Sequence, residues 1–139
     1  MKSILILVFT FFIALIQGCN SDELGKNEII GTWVGPGKSK IIFTSNGRFS
    51  AEFMPAELVV SANYIGEHFS GNGDWYIRRG STNWEVYLDF KSVSDKKYDC
   101  AFPLLIAGEN GILGNKPPWY LFLWEGEEGG DQYKLSKFK

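Results

Sequence analysis

Ile41-Ile42-Phe43-Thr44-Ser45-Asn46-Gly47-Arg48-Phe49-Ser50-Ala51-Glu52-Phe53 places two β-rich runs on either side of an Asn-Gly pair. Asn-Gly between such runs is the strongest short-range signal for a hairpin, because both turn positions favour positive φ. In the second run Phe49, Ala51 and Phe53 share one face, while Arg48, Ser50 and Glu52 share the other. One dry and one wet face is the pattern of an antiparallel strand lying on a core.

The same grammar extends in both directions. Upstream, Ile29–Val34 is followed by Gly35-Pro36-Gly37, a turn, and then by the Lys40–Thr44 arm of the hairpin. Downstream of Gly71-Asn72-Gly73, the run Asp74–Arg78 alternates with Trp75 and Ile77 inward. Trp84–Phe90 alternates with Trp84, Val86, Leu88 and Phe90 on one side. The stretch 98–106 carries Pro103, which suits an edge or a bulge. Trp119–Trp124 is apolar on both faces, and a Gly/Glu-rich turn at 125–130 leads into Gln132–Phe138. Residues 55–70 fit a short helix with Pro55 in its first turn or a strand, with the balance toward a helical turn. About eight short strands without a long amphipathic helix predict an all-β antiparallel architecture, an up-and-down barrel closed on itself.

The N-terminus has a different character. Met1-Lys2 precedes an apolar run, Ile4–Ile16, and then Gln17-Gly18-Cys19. This run of thirteen residues, broken only by Thr10, falls short of the roughly 20 that a membrane-spanning helix needs, and it matches a signal h-region. Ile16-Gln17-Gly18-Cys19 resembles the lipobox of bacterial lipoproteins. That resemblance implies cleavage between Gly18 and Cys19 and acylation of Cys19, which becomes the mature N-terminus. Acyl chains on Cys19 would hold the protein to a membrane, since one chain binds reversibly and two or three bind firmly. Asn20, rather than aspartate, follows the cysteine, so the outer membrane is the implied destination in an organism with two membranes. The expected organisation is a signal peptide at 1–18, a lipid-anchored polar tether at 19–28 and a barrel domain at 29–139.

Composition bounds the rest. Removing residues 1–18 leaves 121 residues, one domain's worth, with 13 basic and 16 acidic side chains and a net charge of −3. So mild a balance gives no reason to expect nucleic acid as a partner. With Cys19 acylated, Cys100 has no cysteine to pair with and reads as a small buried hydrophobe. His68 is the single histidine, beside Phe69 in the least legible segment, and suits packing or surface more than general-base work. The acidic stretch Glu125–Asp131 lacks EF-hand spacing, and a solvated turn accounts for it. No metal or cofactor is expected, and no nucleophile–base pair points to an enzyme.

Gly31-Thr32-Trp33 resembles the Gly-x-Trp opening of lipocalins and related calycin barrels, in which the Trp packs across the closed base. No arginine occurs in the last strand to stack on it. The wider order is similar to small bacterial lipoproteins of lipocalin-like type. Phe43 to Gly47-Arg48-Phe49 forms the hairpin, and Gly71-Asn72-Gly73-Asp74-Trp75 the next step. An aromatic strand at Trp119–Trp124 and a Tyr-containing last strand at Tyr133–Phe138 complete it. The resemblance implies a fold and a location, and it carries no chemistry.

Gly31, Trp33, Asn46, Gly47, Trp75 and Trp84 are thus structural candidates. Trp119 and Trp124 fall on opposite faces of one strand, so with Tyr120 and Phe122 they are the candidates for a ligand or partner surface. Cover by residues 55–70 is the equal alternative. The functional expectation is a non-enzymatic, membrane-anchored envelope protein that binds a small apolar ligand. A protein-interaction module, such as an inhibitor or immunity-type lipoprotein acting through its loops, is the alternative.

Overall fold

The computed structural model describes residues 24–111 and 114–139 (backbone alone over 109–111 and 114–116). The signal segment, Gly18 and Cys19 lie outside the described residues. Eight strands follow one another: β1 Gly31–Val34, β2 Lys40–Phe43, β3 Arg48–Pro55, β4 His68–Arg79, β5 Trp84–Val93, β6 Ala101–Gly111, β7 Gly114–Glu125 and β8 Asp131–Lys137. Each pairs antiparallel with the next, and β1 pairs with β8 through Trp33↔Lys137 and Val34↔Ser136, which closes the barrel. Closure leaves no unpaired edge. The expected all-β, up-and-down barrel is what the chain forms, in agreement with a lipocalin-like architecture.

Period-2 alternation sets the two surfaces. Val86, Leu88 and Phe90 of β5 are buried, as are Leu104 and Ile106 of β6 and Leu121 of β7. Outside, Lys40 pairs with Glu52, Arg48 with Asp74 and Arg78 with Glu85. An apolar interior and a charged exterior are the reverse of a membrane-spanning barrel, whose apolar band faces lipid. Among the described residues no helix is long and apolar enough to cross a membrane.

Three local features depart from simple alternation. In the 44–47 turn only Gly47 takes positive φ (81°). Asn46 acts instead through its side chain, accepting from Thr44 Oγ1 at 2.6 Å and from the Arg48 amide at 3.1 Å. In β3 the register shifts between Ala51 and Met54, and Phe53 adopts φ 53°. Phe53 therefore faces solvent at 53% exposure while Met54 takes the inward place at 0%, a correction to the Phe49/Ala51/Phe53 face. Pro103 sits in β6 opposite Tyr87, before the β6–β7 ladder starts at Leu105, where its missing N–H breaks no bond on the β7 side.

The glycines of β4 have a steric reason. A Cβ on Gly73 would stand 1.9 Å from the Asp89 carbonyl oxygen, at a bulge in the β4–β5 pairing, and one on Gly71 would stand 2.7 Å from the Phe90 ring. The Phe90 ring thus lies against bare backbone at Gly71, edge-on to Phe49 at 4.8 Å and stacked on Phe102 at 5.8 Å.

Up-and-down topology gathers alternate connections at opposite ends. At the base a helical turn, α1 Lys26–Ile29, precedes β1 and buries Ile29, with Leu24 packed beside it. Residues 24 and 26–28 thus join the barrel base rather than the tether. Trp33 is fully buried there, and Lys137 of β8 lies 5.8 Å from its ring centroid. A lysine thereby fills the place that the lipocalin resemblance gives to an arginine. At the other end the β3–β4 connection, with α2 Ala56–Val59 and a 3-10 turn at Ala62–Tyr64, lies across the mouth. Leu58, Val59, Val60 and Tyr64 pack down onto the core. The segment 55–70 is a cover, with helical turns as expected.

Candidate functional site

The mouth of the barrel carries an open cleft of about 370 Å³. Its walls come from four separate connections or strand ends: Pro36 and Gly37 after β1, Pro55 closing β3 with Glu57 and Leu58 after it, His68 opening β4, and Glu125, Gly126 and Tyr133 around the β7–β8 turn. Pro36, Pro55, Leu58 and the Tyr133 ring supply apolar surface. Glu57, Glu125 and His68 supply polar groups. Polar and apolar groups share its lining in similar measure, and its volume is within the size range of small-molecule sites.

The walls are anchored from behind. The Tyr133 hydroxyl donates to the Pro36 carbonyl at 3.0 Å and lies 2.7 Å from the hydroxyl of Ser39, a fully buried serine. Burial pushes the Tyr133 phenol up from its ordinary value, with the Ser39 bond acting the other way. Glu57 accepts the Gly66 amide at 2.5 Å, which ties α2 to the far end of the cover. Gly66 holds φ 76° there, a conformation that costs glycine nothing.

A second set of contacts latches the cover. Glu67 accepts from Lys97 Nζ at 2.7 Å and from the Tyr98 hydroxyl, and Lys97 also lies over the Tyr98 ring at 4.7 Å. The Lys97 hydrogen bond, followed by the Tyr98 one, holds the Glu67 carboxyl below the usual carboxylate range. The Glu67 carboxylate in turn raises Lys97 and Tyr98, with Lys97 acting the other way on Tyr98. Tyr98 in turn stacks on Phe69 at 5.4 Å and meets Tyr64 edge-on at 5.5 Å. Beneath the cover the rings of Phe49, Phe69, Phe90 and Phe102 pack on one another, and the cleft is lined by residues of the mouth.

The residues picked out by sequence lie elsewhere. Trp119 belongs to the inner face of β7 and packs against the core, with its indole nitrogen buried and without a partner among the described residues. Tyr120, Phe122 and Trp124 share the outer face. Phe122 is only 2% exposed because Tyr120 and Trp124 flank it at 5.8 and 5.1 Å. None of these four lines the cleft. Trp75 donates to the Thr44 carbonyl at 3.1 Å, which steadies the hairpin turn, and Trp84 packs on the core beneath the Arg79 guanidinium. Among the described residues no three His, Cys, Asp or Glu side chains converge as a metal set.

The cleft residues were missed because they are scattered from Pro36 to Tyr133. The usable signal was topological: in an up-and-down barrel, residues following β1, β3 and β7 meet at one end. No protein-family model matches this chain, and none of the curated proteins or solved structures compared with it matches either.

Proposed function

We propose that this chain is a lipid-anchored binding protein of the bacterial cell envelope, without catalytic chemistry, that holds a small, partly apolar ligand at the mouth of its barrel. The observation that carries this reading is the cleft of Pro36, Pro55, Leu58 and Tyr133 rimmed by Glu57 and Glu125. Two carboxylates at the rim set a negative local potential, which disfavours fatty-acid anions and favours neutral or cationic ligands. The lipobox resemblance at Ile16–Cys19 supports the anchor. Titration of the purified protein with the fluorescent apolar amine 1-aminoanthracene tests the site. Saturable binding that His68→Trp removes, at unchanged melting temperature, is expected. Absence of saturable binding would overturn the ligand reading.

A second reading, a protein-interaction module, has one observation in its favour. Tyr120, Phe122 and Trp124 present an aromatic stripe on the outer wall, and aromatic residues are enriched in interface cores. A partner captured by the wild type and lost on Trp124→Ala, with 1-aminoanthracene binding absent, would favour it.

A further inference from the structure

We infer that the α1 end of the barrel is the face laid against the anionic membrane surface, and that the cleft end is held away from it. The inference rests on the lipid-anchored reading of Cys19 and adds an orientation to it. Five residue steps separate Cys19 from Leu24, which already packs on the barrel base. Fully extended, they reach at most about 18 Å. β4 has twelve residues, which at about 3.3 Å per residue and a barrel tilt near 40° gives a height of about 30 Å. A tether shorter than the barrel cannot let it stand cleft-end down on the bilayer that holds Cys19.

Charge then separates an upright barrel from one lying on its side. Among the described side chains, the base carries Lys26, Arg48, Arg78, Arg79, Lys137 and Lys139 against Glu28, Asp74 and Glu85, a net of +3. The far end carries Glu57, Glu67, Asp95 and Asp99, then Glu125, Glu127, Glu128 and Asp131 along the last turn. Against these eight stand Lys38, Lys96 and Lys97, a net of −5. Asp22 and Glu23 in the tether lower the base to +1 and leave the ends six charges apart. An anionic surface attracts the first end and repels the second, within about a Debye length. Phe138, 67% exposed beside Lys137 and Lys139, adds an apolar ring at that end that can bury at the headgroup–acyl boundary.

The test uses the lipidated full-length product in a Cys100→Ser background, with a fluorophore at Ser81→Cys in the β4–β5 turn or at Glu128→Cys in the β7–β8 turn. Vesicles contain phosphatidylglycerol and a headgroup-quencher lipid. Quenching severalfold stronger at position 81 than at 128 is expected, with the difference reduced when phosphatidylcholine replaces phosphatidylglycerol. Equal quenching, or stronger quenching at 128, in protein whose intact mass shows the acyl chains would overturn the orientation alone. An intact mass without acyl chains would overturn the anchor, and the orientation with it.

Discussion

The indole nitrogen of Trp33 donates a 2.7 Å hydrogen bond to the carbonyl of Ile29, and both side chains are fully buried. This bond joins the α1 turn to the first strand and satisfies a polar group that burial would otherwise leave costly. Lys137 completes the arrangement by donating to the Glu28 carbonyl at 2.7 Å while lying over the same indole. The α1 turn, the first strand and the last strand thus meet on one tryptophan.

Trp33→Ala removes that ring from a packed core and is expected to cost about 3–5 kcal/mol, enough to unfold a marginal domain. Trp124→Ala removes a half-buried ring, with its edge contact to Phe122, from the outer wall and is expected to cost on the order of 1 kcal/mol. Thermal melts of both variants check the contrast. Equal, large losses would make Trp124 a core residue in energetic terms.

Gly73→Ala forces a Cβ against the Asp89 carbonyl and is expected to destabilise by about 3 kcal/mol or more, the upper range for overpacking. Gly25→Ala, where nothing lies within 4 Å and φ is −81°, is the matched control. Chemical denaturation measures both, and similar midpoints would refute the close approach.

The Glu67 latch predicts an acid-side response. Its carboxyl is depressed below 4.5 in the folded protein by Lys97 and Tyr98. The stabilisation is therefore complete above the unfolded-state value and is lost as pH falls through the lowered one. Melting temperature followed from pH 6 to pH 3 should fall more steeply in the wild type than in Glu67→Gln. Parallel curves would show that the latch contributes nothing at equilibrium.

Burial, with a smaller effect from Asp99, pushes the Cys100 thiol up to about 11. Since the thiolate is the nucleophile, iodoacetamide at pH 8 should label Cys100 on the order of a hundredfold more slowly than a free cysteine. Labelling in urea should be fast. Rapid labelling of the folded protein would place the thiol in solvent.

Cys19→Ala should abolish acyl labelling and block processing of the signal segment. A variant that still incorporates a clickable palmitate would remove the basis for the membrane anchor.

Strand number and most inward faces were legible in the chain because alternation is local: Val86, Leu88 and Phe90 read as one face and are buried together. Gly31-Thr32-Trp33 likewise marked the packed base. Tertiary structure alone decided what depends on neighbours distant in sequence. Phe53 reads as inward, yet a bulge turns it out and brings Met54 in, because the chain must leave the barrel wall there to form the cover. Trp119 and Trp124 read as opposite faces, but with both faces apolar only the closed barrel decides which one meets the core. Gly73 is required by the Asp89 backbone in a neighbouring strand, a contact no local pattern encodes. The cleft is the extreme case: Pro36, Glu57, His68, Glu125 and Tyr133 have no shared motif. They meet because antiparallel order places every second connection at the same end and closure brings the β7–β8 turn beside the connection after β1.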